Sequence, residues 1–425
     1  MACRRQQEST GHMSLRGTAL RLAVSTASRR LPAHVRFPLQ RDGVDPVRRL
    51  DEARAHGDVV RLTRLLGTRV WLVTGYDVAR AVLADSDSFA NDVRQLIGRQ
   101  DRAPAERIGG LGMTDPPDHE RLRRVLTPYF TRRRLADLQA DIDRVVADAL
   151  DDMAAHGPEV DLVERFGFAV PFGVICDLLG MPEVDRLDFR QRGAARFDLR
   201  DGTARIFDTA AGTRQFLIDL VASERRDPHL PDGLLARMVA EHGPDFDDVE
   251  LGGLADGVFL GGYETSASML SLGTWVLLQH PTAWKTLQRG EPAEVEQVVE
   301  ELLRFVCPVQ IAFPRVARRD LVVGEQAVRA GDVVVVSLTG AERDPARRVD
   351  AAWFDPNTAT AGTLAFGHGL HRCVGAELAR MELRTALVGL AQRFPDLSLA
   401  CDPADLRFTE LAIVHGVEAL PVRLG

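Results

Sequence analysis

The chain has 425 residues, 45% of them apolar and 27% charged, with a formal net charge of −8. That composition supports a substantial buried core, and the acidic balance argues against nucleic acid as the main partner. The five cysteines (Cys3, Cys176, Cys307, Cys373 and Cys401) are scattered, odd in number and free of Cys-x-x-Cys spacing, which excludes a disulfide framework or zinc site and suits a reducing cytoplasm.

The first 36 residues carry Arg4, Arg5, Arg16, Arg21, Arg29, Arg30 and Arg36 against the single acid Glu8. Leu15, Ala19 and Leu22 can form a short apolar stripe, as on a basic amphipathic helix that touches a membrane surface or a partner. The plainer reading is a loosely ordered extension ahead of a start at Met13. Residues 1–40 are therefore set apart from residues 41–425. No run of about 18 apolar residues occurs, so no membrane-spanning anchor is expected.

From Asp58 to Thr74, short β-branched runs flank Leu66-Gly67 and predict a hairpin. Tyr76 to Ala84 reads as a helix. Between Phe89 and Met113 no period is sustained and glycines recur, which marks either a binding loop or a plain surface loop. Asp115-Pro116-Pro117-Asp118 then opens a helix on which His119 and Arg123 stand four residues apart and share a face. Two such groups side by side suit a carboxylate ligand, although the neighbouring Arg121, Arg124 and Arg132 to Arg134 also allow an exposed basic face.

Leu135 to Glu241 reads mainly as helices broken at Gly157-Pro158, Gly180-Met181-Pro182 and Pro228. Phe166, Phe168 and Phe172 there are either core or pocket-lining. Asp248 to His280 is apolar and free of proline, which predicts a helix of about 45 Å that crosses the molecule. At its centre stand Gly261 and Gly262, followed by Tyr263, Glu264 and Thr265, and each interior glycine costs roughly 1 kcal/mol relative to alanine. Such a broken local rule points to a site: small residues leave room for a ligand, and an acid beside a hydroxyl passes protons. A helix–helix contact, with Thr265 bonding back to Gly261, accounts for the same residues.

Glu294 to Phe305 predicts a further helix, with Glu301 and Arg304 adjacent on one face. Val309 to Phe313 is strand-like and leads to Arg315. Asp320 to Val336 reads as two strands around Gly331-Asp332. The last strong pattern is Phe366-Gly367-x-Gly369-x-His371-x-Cys373-x-Gly375, followed by a helix over Ala376 to Phe394. It places Cys373 at a helix N-terminus, where unpaired N–H groups and the macrodipole favour an anionic, metal-ligating sulfur.

This pattern resembles the haem-binding loop of the cytochromes P450, and the other motifs follow in that family's order over roughly Asp45 to Leu420. The resemblance implies a mainly α fold with a smaller β portion, in one large domain whose long central helix lies over haem b. Cys373 would be the axial iron ligand, with Phe366, Gly367, His371 and Gly375 shaping the loop. His119, Arg123 and Arg315 would bind the haem propionates. Gly261, Gly262, Glu264 and Thr265 match the oxygen-activating motif, and Glu301 with Arg304 the family's core pair. Val309 and Ile311 would line the substrate pocket, the loop after Phe89 would close over it, and part of the 135–241 region would form a lid.

The implied reaction inserts one atom of O2 into a small organic substrate, a secondary metabolite or lipid-like molecule, with hydroxylation as the first expectation. Oxidative coupling, desaturation or epoxidation needs only a different substrate placement. A non-catalytic haem ligand-binding or gas-sensing protein is the further alternative, against which the Glu264-Thr265 pair argues. Electrons would come from a separate ferredoxin and its NAD(P)H-dependent reductase, to a monomeric, cytoplasmic enzyme.

Two positions depart from the family pattern. Counting back from Phe366, Thr358 stands where an arginine should complete a triad with Glu301 and Arg304, and Thr363 where a propionate-binding histidine is expected. Arg343, Arg347 and Arg348 are the candidates to replace the missing arginine. The propionate near Thr363 would then rely on Arg315, His119, Arg123 and His371.

Overall fold

The structure, a computed structural model, describes residues 32–65, 67–92, 111–189, 203–358 and 362–425. Residues 1–31 of the basic extension, residues 93–110 of the loop after Phe89, and residues 190–202 of the lid region lie outside the described residues.

The β-branched runs near the start pair as expected: β1 (Val59–Leu65) and β2 (Thr68–Val73) form an antiparallel hairpin. Three more strands, β3 (Phe89–Ala90), β4 (Arg315–Ala317) and β5 (Val333–Val336), complete a sheet in the order β1-β2-β5-β4-β3. The β2–β5 pair is parallel and joins strands some 260 residues apart, with Val334 opposite Trp71. The two ends of the chain are thus tied by backbone hydrogen bonds, and the same strand β5 fixes Arg315 opposite Val334. Asp320 to Val336 yields three strands rather than two. Leu321–Val323 and Gln326–Val328 form an additional hairpin, because Gly324 takes φ +55° at the tight turn where only glycine is free of strain.

The helices that build the site are α1 (Tyr76–Ala84), α2 (Asp118–Leu126), α3 (Gln139–Ala155), α4 (Ala169–Leu179), α5 (Thr203–Arg226), α6 (Asp248–Leu278), α7 (Pro292–Val306) and α8 (Ala376–Arg393). The predicted central helix is α6. It opens on a capping box in which Asp247 accepts from the Glu250 N–H while Glu250 reaches back, satisfying two otherwise orphaned donors. It packs against α4, α5, α7 and α8, so it is apolar nearly all round, as a fully enclosed helix must be. Phe166 and Phe172 belong to this core, with Phe168 partly buried against it. Val309 to Phe313 does not form a strand of the sheet; it is held by two isolated bridges, Val309 to Val414 and Ile311 to Ser337.

Glu301 and Arg304 on α7 are each 1% accessible. Arg304 grips Glu301 with Nε and Nη2, both at 2.8 Å, and spends its remaining donors on the carbonyls of Glu342, Ala351 and Trp353. Arg348 supplies the third member, its Nη1 at 3.2 and 3.1 Å from the two Glu301 oxygens. Thr358 instead donates to Asp355. Arg304→Leu leaves Glu301 buried beside a single remaining cation, so a loss of about 3–5 kcal/mol is expected. Urea denaturation of mutant and wild type checks this.

Candidate active site

Cys373 is set in place by the loop ahead of α8. Its N–H donates to the Phe366 carbonyl at 2.9 Å, and Gly367 and Gly369 take φ +68° and +72°. At Gly369 a side chain would also meet the Leu83 carbonyl oxygen at 2.6 Å, so α1 and the loop approach as closely as only glycine permits. The Gly375 N–H bonds the sulfur and favours the thiolate, as do Arg123, Arg372 and Arg380, but burial outweighs them and pushes the thiol up. Cys373 is nevertheless accessible. Cys373 is thus open to approach while the surrounding loop and guanidiniums crowd its sulfur.

Facing the same loop are the polar groups of α2 and β4. His119 is fully buried, and among the described residues neither of its ring nitrogens has a hydrogen-bond partner; His371 Nδ1 is likewise without one. The two rings lie 4.2 Å apart. Burial lowers both imidazoles, aided by Arg123 at His119 and by His119 at His371, which falls to about 3. Both are therefore neutral near pH 7; His119 has one N–H to give, while that of His371 is engaged by the Leu111 backbone and its Nδ1 is left open. Arg315, 4% accessible, has among the described residues only the Phe313 carbonyl as a hydrogen-bond acceptor, at 2.7 Å, and burial pushes its guanidinium down to about 10. Arg123 ties α2 to the cysteine loop through the Arg372 carbonyl at 2.7 Å.

Unpaired buried donors are costly, and here they converge with a buried cation beside an accessible cysteine. The donor set fits an anionic cofactor with carboxylate arms and a thiolate-ligated metal, which is haem. Thr363 takes no part: its hydroxyl donates to Glu342 at 2.9 Å, and the Leu364 N–H takes the same carboxylate oxygen.

On the central helix α6 the two glycines divide the work that the sequence left undecided. A side chain at Gly262 would strike Ile175 Cδ1 at 2.6 Å, so Gly262 serves the contact with α4. A side chain at Gly261 would meet nothing within 4 Å among the described residues. Gly261 is exposed in the middle of an otherwise enclosed helix and faces open space. Thr265 Oγ1 donates to the Gly261 carbonyl at 2.5 Å, which places a hydroxyl at the edge of that space. Glu264 is half-buried.

Between α7 and β4, Gln310 is buried, bonded through Nε2 to the carbonyls of Leu39 and Ala412. Extended backbone alternates faces, so Val309, Ile311 and Phe313 point the opposite way. Phe313 is 49% exposed, as is Ile413 at 57%, whose carbonyl takes the Gln310 N–H. Nothing local in the sequence marks Phe313 or Ile413, because the link that brings the Ile413 segment beside Gln310 spans about 100 residues. It also passed over Glu342, which nothing nearby marks as buried.

Residues 294–403 match the family model described as Cytochrome P450. Among curated proteins, the chain is 39% identical to Cytochrome P450 165C4 of Amycolatopsis orientalis, over 87% of this chain and 91% of that one. It is 37% identical to the monooxygenase PikC of Streptomyces venezuelae, over 89% and 91%. Among solved structures, StaH from biosynthesis of the glycopeptide antibiotic A47934 aligns with TM-score 0.82 and 38% identity, covering 91% of this chain and 99% of that one. OxyC, implicated in an oxidative C–C coupling reaction during vancomycin biosynthesis, aligns with TM-score 0.81 and 36% identity, covering 91% and 95%. Full-length identity well above what fold likeness alone requires, together with the site's donor set, places the function: the chain belongs to the cytochrome P450 family of haem-thiolate monooxygenases.

Proposed function

We propose that residues 41–425 form one catalytic domain in which Cys373 would supply the thiolate ligand to haem iron and His119, Arg123, Arg315 and His371 would hold the propionates. The observation that carries this reading is the convergence, beside the loop of Cys373, of unpartnered buried imidazole nitrogens and an Arg315 with one acceptor among the described residues. Haem iron, when bound, supplies the activation of O2; the chain's own residues position, desolvate and deliver protons. Gly261 leaves room beside α6. Thr265 Oγ1 donates its one proton to the Gly261 carbonyl, so its lone pairs are left to accept from and orient a proton-carrying water beside α6, and Glu264 would replenish that proton. Val309, Ile311, Phe313 and Ile413 form the apolar wall that holds the substrate and limits water.

Because Thr363 is committed to Glu342, Arg315 carries more of one propionate than it otherwise would. Arg315→Ala is therefore expected to accelerate haem loss to apomyoglobin by roughly tenfold or more, one charge-assisted bond being worth about 1.5–3 kcal/mol. Haem retention equal to wild type in that transfer assay overturns the compensation.

Cytochromes P450 act on small molecules and draw electrons from redox partners. For this chain we take the partner to be a small acidic ferredoxin with an NAD(P)H-dependent reductase, acting on a cytoplasmic monomer; no helix among the described residues is long and apolar enough to cross a membrane. The exposed Arg372, Arg124 and Arg132 to Arg134 lie on the side of α2 and the cysteine loop. Reduction should slow as salt rises, and charge reversal at Arg372 or Arg132 should lower the rate of ferredoxin-driven reduction in stopped flow. An unaffected rate contradicts this docking face.

Hydroxylation of a small secondary metabolite is the first reading. The likeness to OxyC and StaH supports a second, oxidative coupling, in which the same haem chemistry joins two carbons of a bound substrate. Screening aromatic peptides and macrolide-like compounds for a shift in ferric spin state, followed by product masses, separates them: coupling removes two hydrogens, hydroxylation adds one oxygen.

A further inference from the structure

Arg380 lies on the second turn of α8, with its side chain 12% accessible. It meets Glu300 of α7 as a two-pronged fork, Nε on Oε1 and Nη2 on Oε2, the latter at 3.1 Å. Its Nη1 takes Glu377 Oε1 at 3.1 Å and the Ala376 carbonyl at 3.4 Å. The guanidinium carbon stands 4.7 Å from the centre of the Phe366 ring, the residue whose carbonyl receives the Cys373 N–H. Arg380 is thus bound on one side by two acids and on the other by the aromatic that closes the cysteine loop.

Three guanidiniums favour the charged sulfur: Arg123, Arg372 and Arg380. Arg372 is exposed, so solvent screens it. Arg380 is shielded and immobile, where a charge acts more strongly. Four of its five N–H donors are engaged, and the acids that engage them would repel an acidic partner, so it is ill placed to serve as a docking cation.

We infer that Arg380, clamped between Glu300, Glu377 and the Phe366 ring, is a positioning residue that sets the reduction potential at Cys373. The inference rests on Cys373 being the iron ligand. The step is uptake of one electron from the redox partner by the ferric centre, which adds one negative charge to the site. A fixed cation favours that uptake, and each uncompensated acid opposes it.

The test is a spectroelectrochemical titration of the haem-loaded protein with small-molecule mediators and no ferredoxin. Arg380→Gln leaves two acids uncompensated and should lower the reduction equilibrium constant by up to about tenfold, which is about 59 mV for a one-electron couple. Glu300→Gln should shift the potential upward. The double variant Arg380→Gln/Glu300→Gln should return most of the way to wild type, because the charges cancel, whereas a merely structural role predicts that the two lesions add. Glu377→Gln, at a more exposed acid, should also shift it upward and serves if Arg380→Gln does not hold haem. Shifts of Arg380→Gln and Glu300→Gln in the same direction, or unchanged potentials in Glu300→Gln and Glu377→Gln, overturn the inference. A wild-type protein that lacks the thiolate signature under CO overturns instead the assignment of Cys373, so the two failures are told apart.

Discussion

Cys373→Ser is expected to abolish product formation, to below one part in about a thousand of wild type, because a serine hydroxyl is not deprotonated at neutral pH and gives the iron no thiolate donor. Cys373→His should fare no better, since a neutral imidazole donates less electron density. Loss of haem altogether is a lesser risk for these mutants: His119, His371 and Arg315 converge beside the loop independently of the sulfur, and the loop is held by the Phe366 carbonyl and by glycine conformations at 367 and 369 that neither substitution touches. The mutants should therefore bind haem, show changed ligation and turn over no substrate. Substrate consumed with NAD(P)H and the redox partners, followed by mass spectrometry, is the check, and retained hydroxylation or coupling in either mutant would refute the ligand assignment.

Thr265→Ala is expected to preserve haem and substrate binding while uncoupling electron use from product. The Thr265 hydroxyl is held by the Gly261 carbonyl at 2.5 Å, at the edge of the space left by the missing side chain of Gly261. With alanine, the proton-carrying water there loses the oxygen that orders it. A positioned donor typically contributes about 10²–10⁴-fold, so product per NAD(P)H should fall by at least roughly tenfold, with hydrogen peroxide appearing in its stead. Thr265→Ser keeps the hydroxyl and should recover most of the yield. Unchanged product per NAD(P)H in Thr265→Ala would remove Thr265 from the proton path.

What was legible in the sequence was local. The hairpin over Val59–Val73, the helix Tyr76–Ala84 and the central helix all follow from periodicity and turn residues close in the chain. The cysteine loop was legible because its glycines are needed at fixed offsets, and at Gly369 the φ of +72° and the contact with Leu83 show why. The sequence narrowed the replacement for the missing arginine at Thr358 to three candidates, but only the folded chain brings Arg348 onto both oxygens of Glu301. Arg343 instead lies 3.8 Å over the Phe305 ring, and Arg347 the same distance over Tyr76.

The Gly261-Gly262 pair was legible as an anomaly and not as a division of labour, since ligand space and helix contact leave the same residue in a sequence; Ile175, on a helix nearly 90 residues away, decides it. Glu342 could not be read at all. Its carboxylate is enclosed by Thr363, Leu364 and Arg347, and burial raises its proton affinity above the ordinary carboxylate range, yet in sequence it is one acid in a mixed run. It explains why Thr363 can depart from the family pattern: the hydroxyl anchors the start of the cysteine loop on a buried acid instead of facing the cofactor.

The most direct measurement is the absorption spectrum of the haem-loaded protein reduced with dithionite under CO. The account predicts the far-red-shifted Soret band of a thiolate-ligated ferrous–CO haem in wild type and its loss in Cys373→Ser. A wild-type band in the position given by imidazole or oxygen ligation, or a thiolate band that persists in Cys373→Ser, would contradict it.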